Sequence, residues 1–154
     1  MYEKELQRIL TASQNNALTF FVGAGVSALS GAPTWKRLIH AISDRLGQAR
    51  KDEYSSDEYL QIPQMFYYSL GENKEEYYTF VKAQLHSSPM LPNVIHREML
   101  NLNPVSFITT NYDTLLEDAA VQYCQSFKVV SRDEDVPTIF GDRFILKLHG
   151  DFKH

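Results

Sequence analysis

Leu18-Thr19-Phe20-Phe21-Val22-Gly23-Ala24-Gly25-Val26-Ser27-Ala28 is the stretch that decides the fold. Its first half is apolar without polar alternation, which predicts a strand buried on both faces, as in a parallel sheet. That strand stops at two glycines one small residue apart, and the chain then reopens as a helix. Such a turn points backbone N–H groups at one spot, and the spot suits a phosphate or diphosphate. The stretch satisfies the G-x-G-x-x-G/A form in the strand-turn-helix setting the form requires. The plain alternative is a tight turn whose glycines serve only backbone geometry. A dinucleotide fold of the dehydrogenase type would next show a strand ending in Asp or Glu about 20 residues on. That window instead holds a helical pattern, 34 to 46, with Asp44 in its middle. An ordinary dehydrogenase therefore fits poorly.

Working outward, Leu6, Ile9, Leu10 and Ser13 have helical spacing, so residues 3 to about 16 read as a lead-in helix closed by Asn15-Asn16. On the other side, Gly31-Ala32-Pro33 is a loop signal. Trp35, Leu38, Ile39, Ile42 and Leu46 then form one apolar stripe ending near Gly47. Residues 48 to 58 are polar and read as an exposed connection. From 59 to 102 no strand pattern occurs; helices are predicted over 62–70, 75–85 and 94–102, with Pro89 and Pro92 between the last two. Tyr59, Tyr67, Tyr68, Tyr77 and Tyr78 in this region either line a pocket or, as tyrosines at helical spacing more often do, pack half-buried. Strands are expected again at 105–109, 127–130 and 144–148, with a helix after Asp113 that turns Leu115, Leu116, Ala119, Ala120 and Tyr123 inward. The fold class is α/β: a Rossmann-like open parallel sheet in one domain, 1–154, with a helical insertion over about 48–102.

The bulk properties narrow the function. At 154 residues and 44% hydrophobic composition the chain has the size of one domain with a core. A net charge of -4, with lysines and arginines interleaved with acids, gives no basic excess, and direct binding to nucleic acid is not expected. No apolar run approaches the roughly 18 residues of a membrane span, and Met1-Tyr2-Glu3-Lys4-Glu5 is charged where a signal peptide turns apolar. A cytoplasmic protein is expected. The single cysteine, Cys124, builds neither an internal disulfide nor a four-thiolate zinc site, and no metal is expected.

In an open parallel sheet, ligands sit at the C-terminal edge of the strands. Three sets of residues are predicted there. Gly23, Ala24, Gly25 and Ser27 form the first turn. Asn111 and Asp113 follow the strand 105–109; the Asn has groups to orient water or a sugar, and the Asp carboxylate has acceptors for a carboxamide N–H. Equally, Asp113 reads as a helix cap and Asn111 as a turn residue. His149, between an apolar strand and Gly150, is placed to act as a general base near neutral pH. His40, His86 and His96 lie on helical patterns and read as packing or surface residues. Ser27 lacks the G-x-S-x-G elbow, so no Ser-His-Asp triad is argued.

Gly23-Ala24-Gly25-Val26-Ser27 with Gly31-Ala32-Pro33, then Thr110-Asn111-Tyr112-Asp113, then Leu148-His149-Gly150, in this order after strands, resembles the sirtuin-like family. The resemblance covers nearly the whole chain. It implies that Gly23, Ala24, Gly25 and Ser27 hold the diphosphate of NAD. It gives Asn111 the nicotinamide ribose and a share in catalysis, Asp113 the carboxamide, and His149 the role of base. Thr110 stands where protein-deacylating sirtuins carry Gln, and Thr34-Trp35-Lys36 where they carry Asp-Phe-Arg. Their four-cysteine zinc module has no counterpart here. The chain is more similar to the bacterial sirtuin-like domains of anti-phage defence proteins, which degrade NAD. The implied activity is hydrolysis of NAD to nicotinamide and ADP-ribose, within a homo-oligomer or beside a partner defence protein. A non-catalytic module binding NAD or ADP-ribose is the second reading, and protein deacylation the third. Trp35 either walls off nicotinamide or, as the commoner role of such a residue, belongs to the core. Family domains continue past the His-Gly with further strands that hold adenine, so by this resemblance residues 1–154 correspond to the N-terminal part of the domain.

Overall fold

The computed structural model describes residues 2–85, 89–138 and 141–151; His86 lies outside the described residues. Two compact units are present, 1–30 with 90–154, and 31–89.

The first unit is built on a sheet of four parallel strands, β1 (Thr19–Val22), β2 (Ser106–Thr109), β3 (Lys128–Val130) and β4 (Phe144–Lys147), in the order β1-β2-β4-β3. Val22, Thr109 and Lys147 share the last register position of the first three neighbours, and Val130 pairs with Leu146. Because all strands run the same way, the turns that follow them emerge at one edge. Alternate side chains point to opposite faces, and the face bearing Val22, Phe107 and Ile145 carries the core. Helices α6 (Val94–Asn101) and α7 (Leu115–Gln122) supply the other half of that core through Met99, Leu100, Leu116 and Ala119. Phe20, Val26, Ile95 and Phe127 pack around it. Each large apolar side chain buried this way contributes about 1.5–3 kcal/mol.

Expected burial is corrected at two places in this unit, the first strand and Tyr123. β1, an edge strand, is not buried on both faces: Thr19 is exposed and Phe21 is 69% exposed, because the described residues leave one of its faces open. α1 (Glu3–Gln14) forms as expected and ends at Asn15, with Asn16 in the left-handed region, but Leu6, Ile9 and Leu10 remain exposed. The Ser13 hydroxyl ties this helix to the Leu102 carbonyl at 2.5 Å. On α7, Leu115, Leu116, Ala119 and Ala120 are buried as expected, while Tyr123 past its end is 37% exposed.

The second unit holds α3 (Trp35–Arg45), α4 (Ser56–Ser69) and α5 (Lys74–Leu85). Thr34 caps α3 by accepting from Arg37 N at 3.3 Å. Leu38, Ile39 and Ile42 are buried, but Trp35, in the first turn, is 49% exposed and is not a core residue. α4 begins earlier than its apolar pattern, because Ser55 and Glu58 form a reciprocal capping box. Tyr59, Tyr67 and Tyr77 are half-buried, with Tyr77 ring to ring against Phe66, Tyr67 and Tyr78, whereas Tyr68 and Tyr78 are exposed, against the packing expectation. The helical stretch expected over 48–102 is thus divided, with α6 joining the sheet.

Candidate functional site

The turns at the C-terminal edge of β1 and β2 are stitched together by side chains. Thr109 is 2% exposed; its hydroxyl donates to the Val22 carbonyl at 2.9 Å and accepts from the Asn111 N–H at 3.0 Å. One hydroxyl therefore fixes both the end of β1 and the backbone entering the second turn. Asn111, also buried, donates from Nδ2 to Ser27 Oγ at 3.0 Å. Ser27 is 1% exposed and belongs to the short helix α2 (Ala24–Ala28) that follows Gly23. The first and second sequence motifs thus meet by a direct hydrogen bond.

Gly23 precedes α2 in an extended conformation, and neither it nor Gly25 takes a positive φ. No atom lies within 4 Å of where a Cβ would stand on either residue. The chain's own sterics do not call for glycine at either position, and the space above the turn is open. Ala24 and Gly25 are exposed. Gly150 is different: it has φ +73, a left-handed conformation that favours glycine, and its N–H returns to the Lys147 carbonyl at 3.1 Å.

Asp113 is half-buried, and its Oδ1 accepts from Leu115 N at 3.1 Å. The N-cap of the helix that begins at Leu115 is Thr114, without a side-chain cap bond, so Asp113 is not the cap the sequence offered; one carboxylate oxygen is nevertheless engaged by the first helical N–H. His149 is exposed at the end of β4, with its ring centroid 6.0 Å from that of Tyr112. Among the described residues its ring makes no hydrogen bond. The third motif therefore approaches the second through Tyr112, the residue between Asn111 and Asp113.

A family model described as the SIR2-like domain matches residues 105–154, which carry the second and third motifs. The Defense-associated sirtuin 2 of Bacillus subtilis is 42% identical over 149 residues, 96% of this chain and 14% of that protein. The NAD(+) hydrolase ThsA of Cytobacillus dafuensis is 25% identical over 96% of this chain and 29% of its own length. An NAD-dependent protein deacetylase of Staphylococcus epidermidis is 32% identical over 77% of this chain and 47% of its own. The chain is sirtuin-like. It spans less than half the length of these relatives, and the first two alignments take in the glycine turn that the family model leaves out.

Three further residues shape this candidate site and were not read as site residues from the sequence. Asn93, before α6, accepts from Ile95 N at 2.9 Å and donates from Nδ2 to the Val26 carbonyl and to Ser30 Oγ, both at 2.8 Å. It thus caps one helix while holding α2, the helix of the glycine turn. Its own N–H donates to His96 Nδ1 at 3.1 Å. His96 is fully buried, so the packing expectation holds, but its ring has an electrostatic neighbour in the site. Burial pushes the imidazole below its ordinary range, while the nearby Asp113 carboxylate opposes that shift. With Nδ1 accepting, the neutral ring carries its proton on Nε2, which has no hydrogen-bond partner among the described residues. Asn93 ahead of an apolar helical pattern is an N-cap signal that would have found the first of this pair, while His96 stands where a capping box usually has Glu or Gln.

Lys147 is the third. Its signal was a lysine inside the apolar run Phe144-Ile145-Leu146-Lys147-Leu148, where a charged group needs partners. Those partners are the Tyr112 and Asp113 carbonyls and the Glu117 carboxylate. Among the described residues no group of three or more His, Cys, Asp or Glu side chains could hold a metal ion, and no helix is long and apolar enough to cross a membrane.

Proposed function

We propose that this chain contributes the catalytic edge of an NAD-cleaving hydrolase, acting in bacterial defence against phage. The observation that carries the proposal is the hydrogen bond from Asn111 to Ser27, since it joins the glycine turn and the polar turn after β2 into one constellation. The names of two relatives, a defence-associated sirtuin and an NAD(+) hydrolase, support the same reading.

In this proposal the open turn at Gly23, Ala24 and Gly25 takes the NAD diphosphate on backbone N–H groups. Asn111, its amide oriented by Ser27, holds the nicotinamide ribose or the attacking water, and Asp113 accepts from the carboxamide with its remaining acceptor capacity. The C1–N bond of the ribose breaks with its electron pair staying on nicotinamide, which leaves neutral. Positive charge develops at C1 and the ring oxygen. Water oxygen bonds to C1, and its proton passes to His149, directly or through a ribose hydroxyl. The products are nicotinamide and ADP-ribose.

The second reading, a module that binds NAD without cleaving it, draws on the Asp113 carboxylate being already engaged by the Leu115 N–H. Product analysis separates the readings. The full-length protein, given NAD, is expected to form nicotinamide and ADP-ribose in equal amounts. Binding without release would replace the proposal by the second reading, and transfer of an acyl group from lysine would replace it by deacylation.

A further inference from the structure

Lys147 is completely buried in its side chain, at the last register position of the sheet beside Thr109. An ammonium there has three donors to satisfy. It donates to the Asp113 carbonyl at 2.7 Å, to the Tyr112 carbonyl at a longer 3.4 Å, and to Glu117 Oε1 at 3.0 Å. Glu117 is itself only 15% exposed in its side chain and sits in the first turn of α7. Burying such a pair gains little stability over apolar residues of similar volume, because desolvation offsets most of the attraction. Stability alone is therefore a weak reason for a lysine in this strand. Its contacts point elsewhere: two of the three are main-chain carbonyls of the turn that carries Asn111 and Asp113.

We infer that Lys147, braced by Glu117, is a positioning residue that anchors the Tyr112 and Asp113 carbonyls and thereby sets how Asn111 and Asp113 face the nicotinamide half of the substrate. This inference rests on the NAD reading of the site. The anchor fixes the peptide groups on either side of Asp113, while Thr109 fixes the N–H of Asn111 and Leu115 N–H holds the Asp113 carboxylate. The Asn111 N–H and the Tyr112 and Asp113 carbonyls are thus each held by a buried side chain. A lysine two residues before His149 also couples the second and third motifs through one strand end.

The test uses the full-length protein and the variants Lys147→Met, which keeps the apolar stem and removes the donors, and Lys147→Gln, which keeps a shorter polar group. Three quantities are measured: the rate of nicotinamide release, the affinity for ADP-ribose, which lacks nicotinamide, and amide hydrogen exchange over residues 110–115. Misplacement of about 1 Å costs on the order of 100-fold in rate. Lys147→Met is expected to slow release by roughly that factor, to weaken ADP-ribose binding far less, and to speed exchange in 110–115 while strands β1 and β2 keep their protection. A variant with wild-type release and wild-type exchange overturns the inference, as does parallel loss of ADP-ribose binding and of protection across the sheet, which would make the lysine merely structural. Should Lys147→Met fail to fold, the same criteria apply to Lys147→Gln. A wild type that releases no nicotinamide counts against the functional reading, and local exchange in the variants still decides whether the anchor exists.

Discussion

Replacing Thr109 by Val tests whether one hydroxyl holds the two site turns together. The substitution keeps the volume and branching of the side chain, so the cavity contribution is small. It removes a donor to the Val22 carbonyl and an acceptor for the Asn111 N–H, both at a position 2% exposed. Each buried polar group left without its partner costs about 1–3 kcal/mol. Two such groups, with some relaxation, give a loss of roughly 2–4 kcal/mol. For a chain of this size a loss of 1 kcal/mol lowers Tm by about 2–4 °C, so the expected drop is of the order of 5–12 °C. Thr109→Ser is the control: it retains the hydroxyl and loses one methyl, worth about 0.8 kcal/mol. Thermal unfolding followed by circular dichroism checks both. Equal melting of the Val and Ser variants, or a Val variant within about 2 °C of wild type, would refute the bridging role of the hydroxyl.

Gly25→Ala separates a glycine kept for a ligand from one kept for folding. The backbone tolerates the methyl and no atom lies near it, so Tm is expected to hold or rise, with a helix-propensity gain of up to about 1 kcal/mol, while NAD affinity falls; unchanged affinity by calorimetry would contradict the diphosphate role. His96 gives a pH signature. Its folded pKa lies below the unfolded value of about 6.5, chiefly through burial, so unfolding takes up a proton at acid pH. The corresponding stability is complete above that value and is lost as pH falls through the folded pKa. Urea midpoints measured from pH 7.5 down to 5 are expected to fall in wild type and to fall less in His96→Gln; equal slopes would remove His96 as the cause.

The strands were legible because each is a short apolar run ending in glycines or polar turn residues, and those same endings placed Gly23, Asn111 and His149 at one edge. What the sequence withheld was long-range. That β1 pairs on one side only, and that β4 enters between β2 and β3, is set by strand order, and the exposure of Phe21 by what covers each face of the sheet. The partners of Lys147 are 30 to 35 residues away in the chain, and Asn93 reaches Val26 and Ser30 across 67 and 63 residues. No local pattern encodes such pairs; a lysine in an apolar strand and an Asn before a helix only announce that partners are required. Trp35 shows the converse. It falls on the apolar stripe of its helix, yet its place in the first turn leaves it half exposed.

The most direct test of an NAD-cleaving site at this sheet edge is nicotinamide release by the full-length protein carrying Asn111→Ala, measured beside its affinity for ADP-ribose. The hydrogen bond to Ser27 places this side chain at the junction of two motifs, so removing it is expected to cut the rate by about 100-fold or more with ADP-ribose still bound. Release at the wild-type rate by a folded Asn111→Ala variant would contradict the assignment of the site.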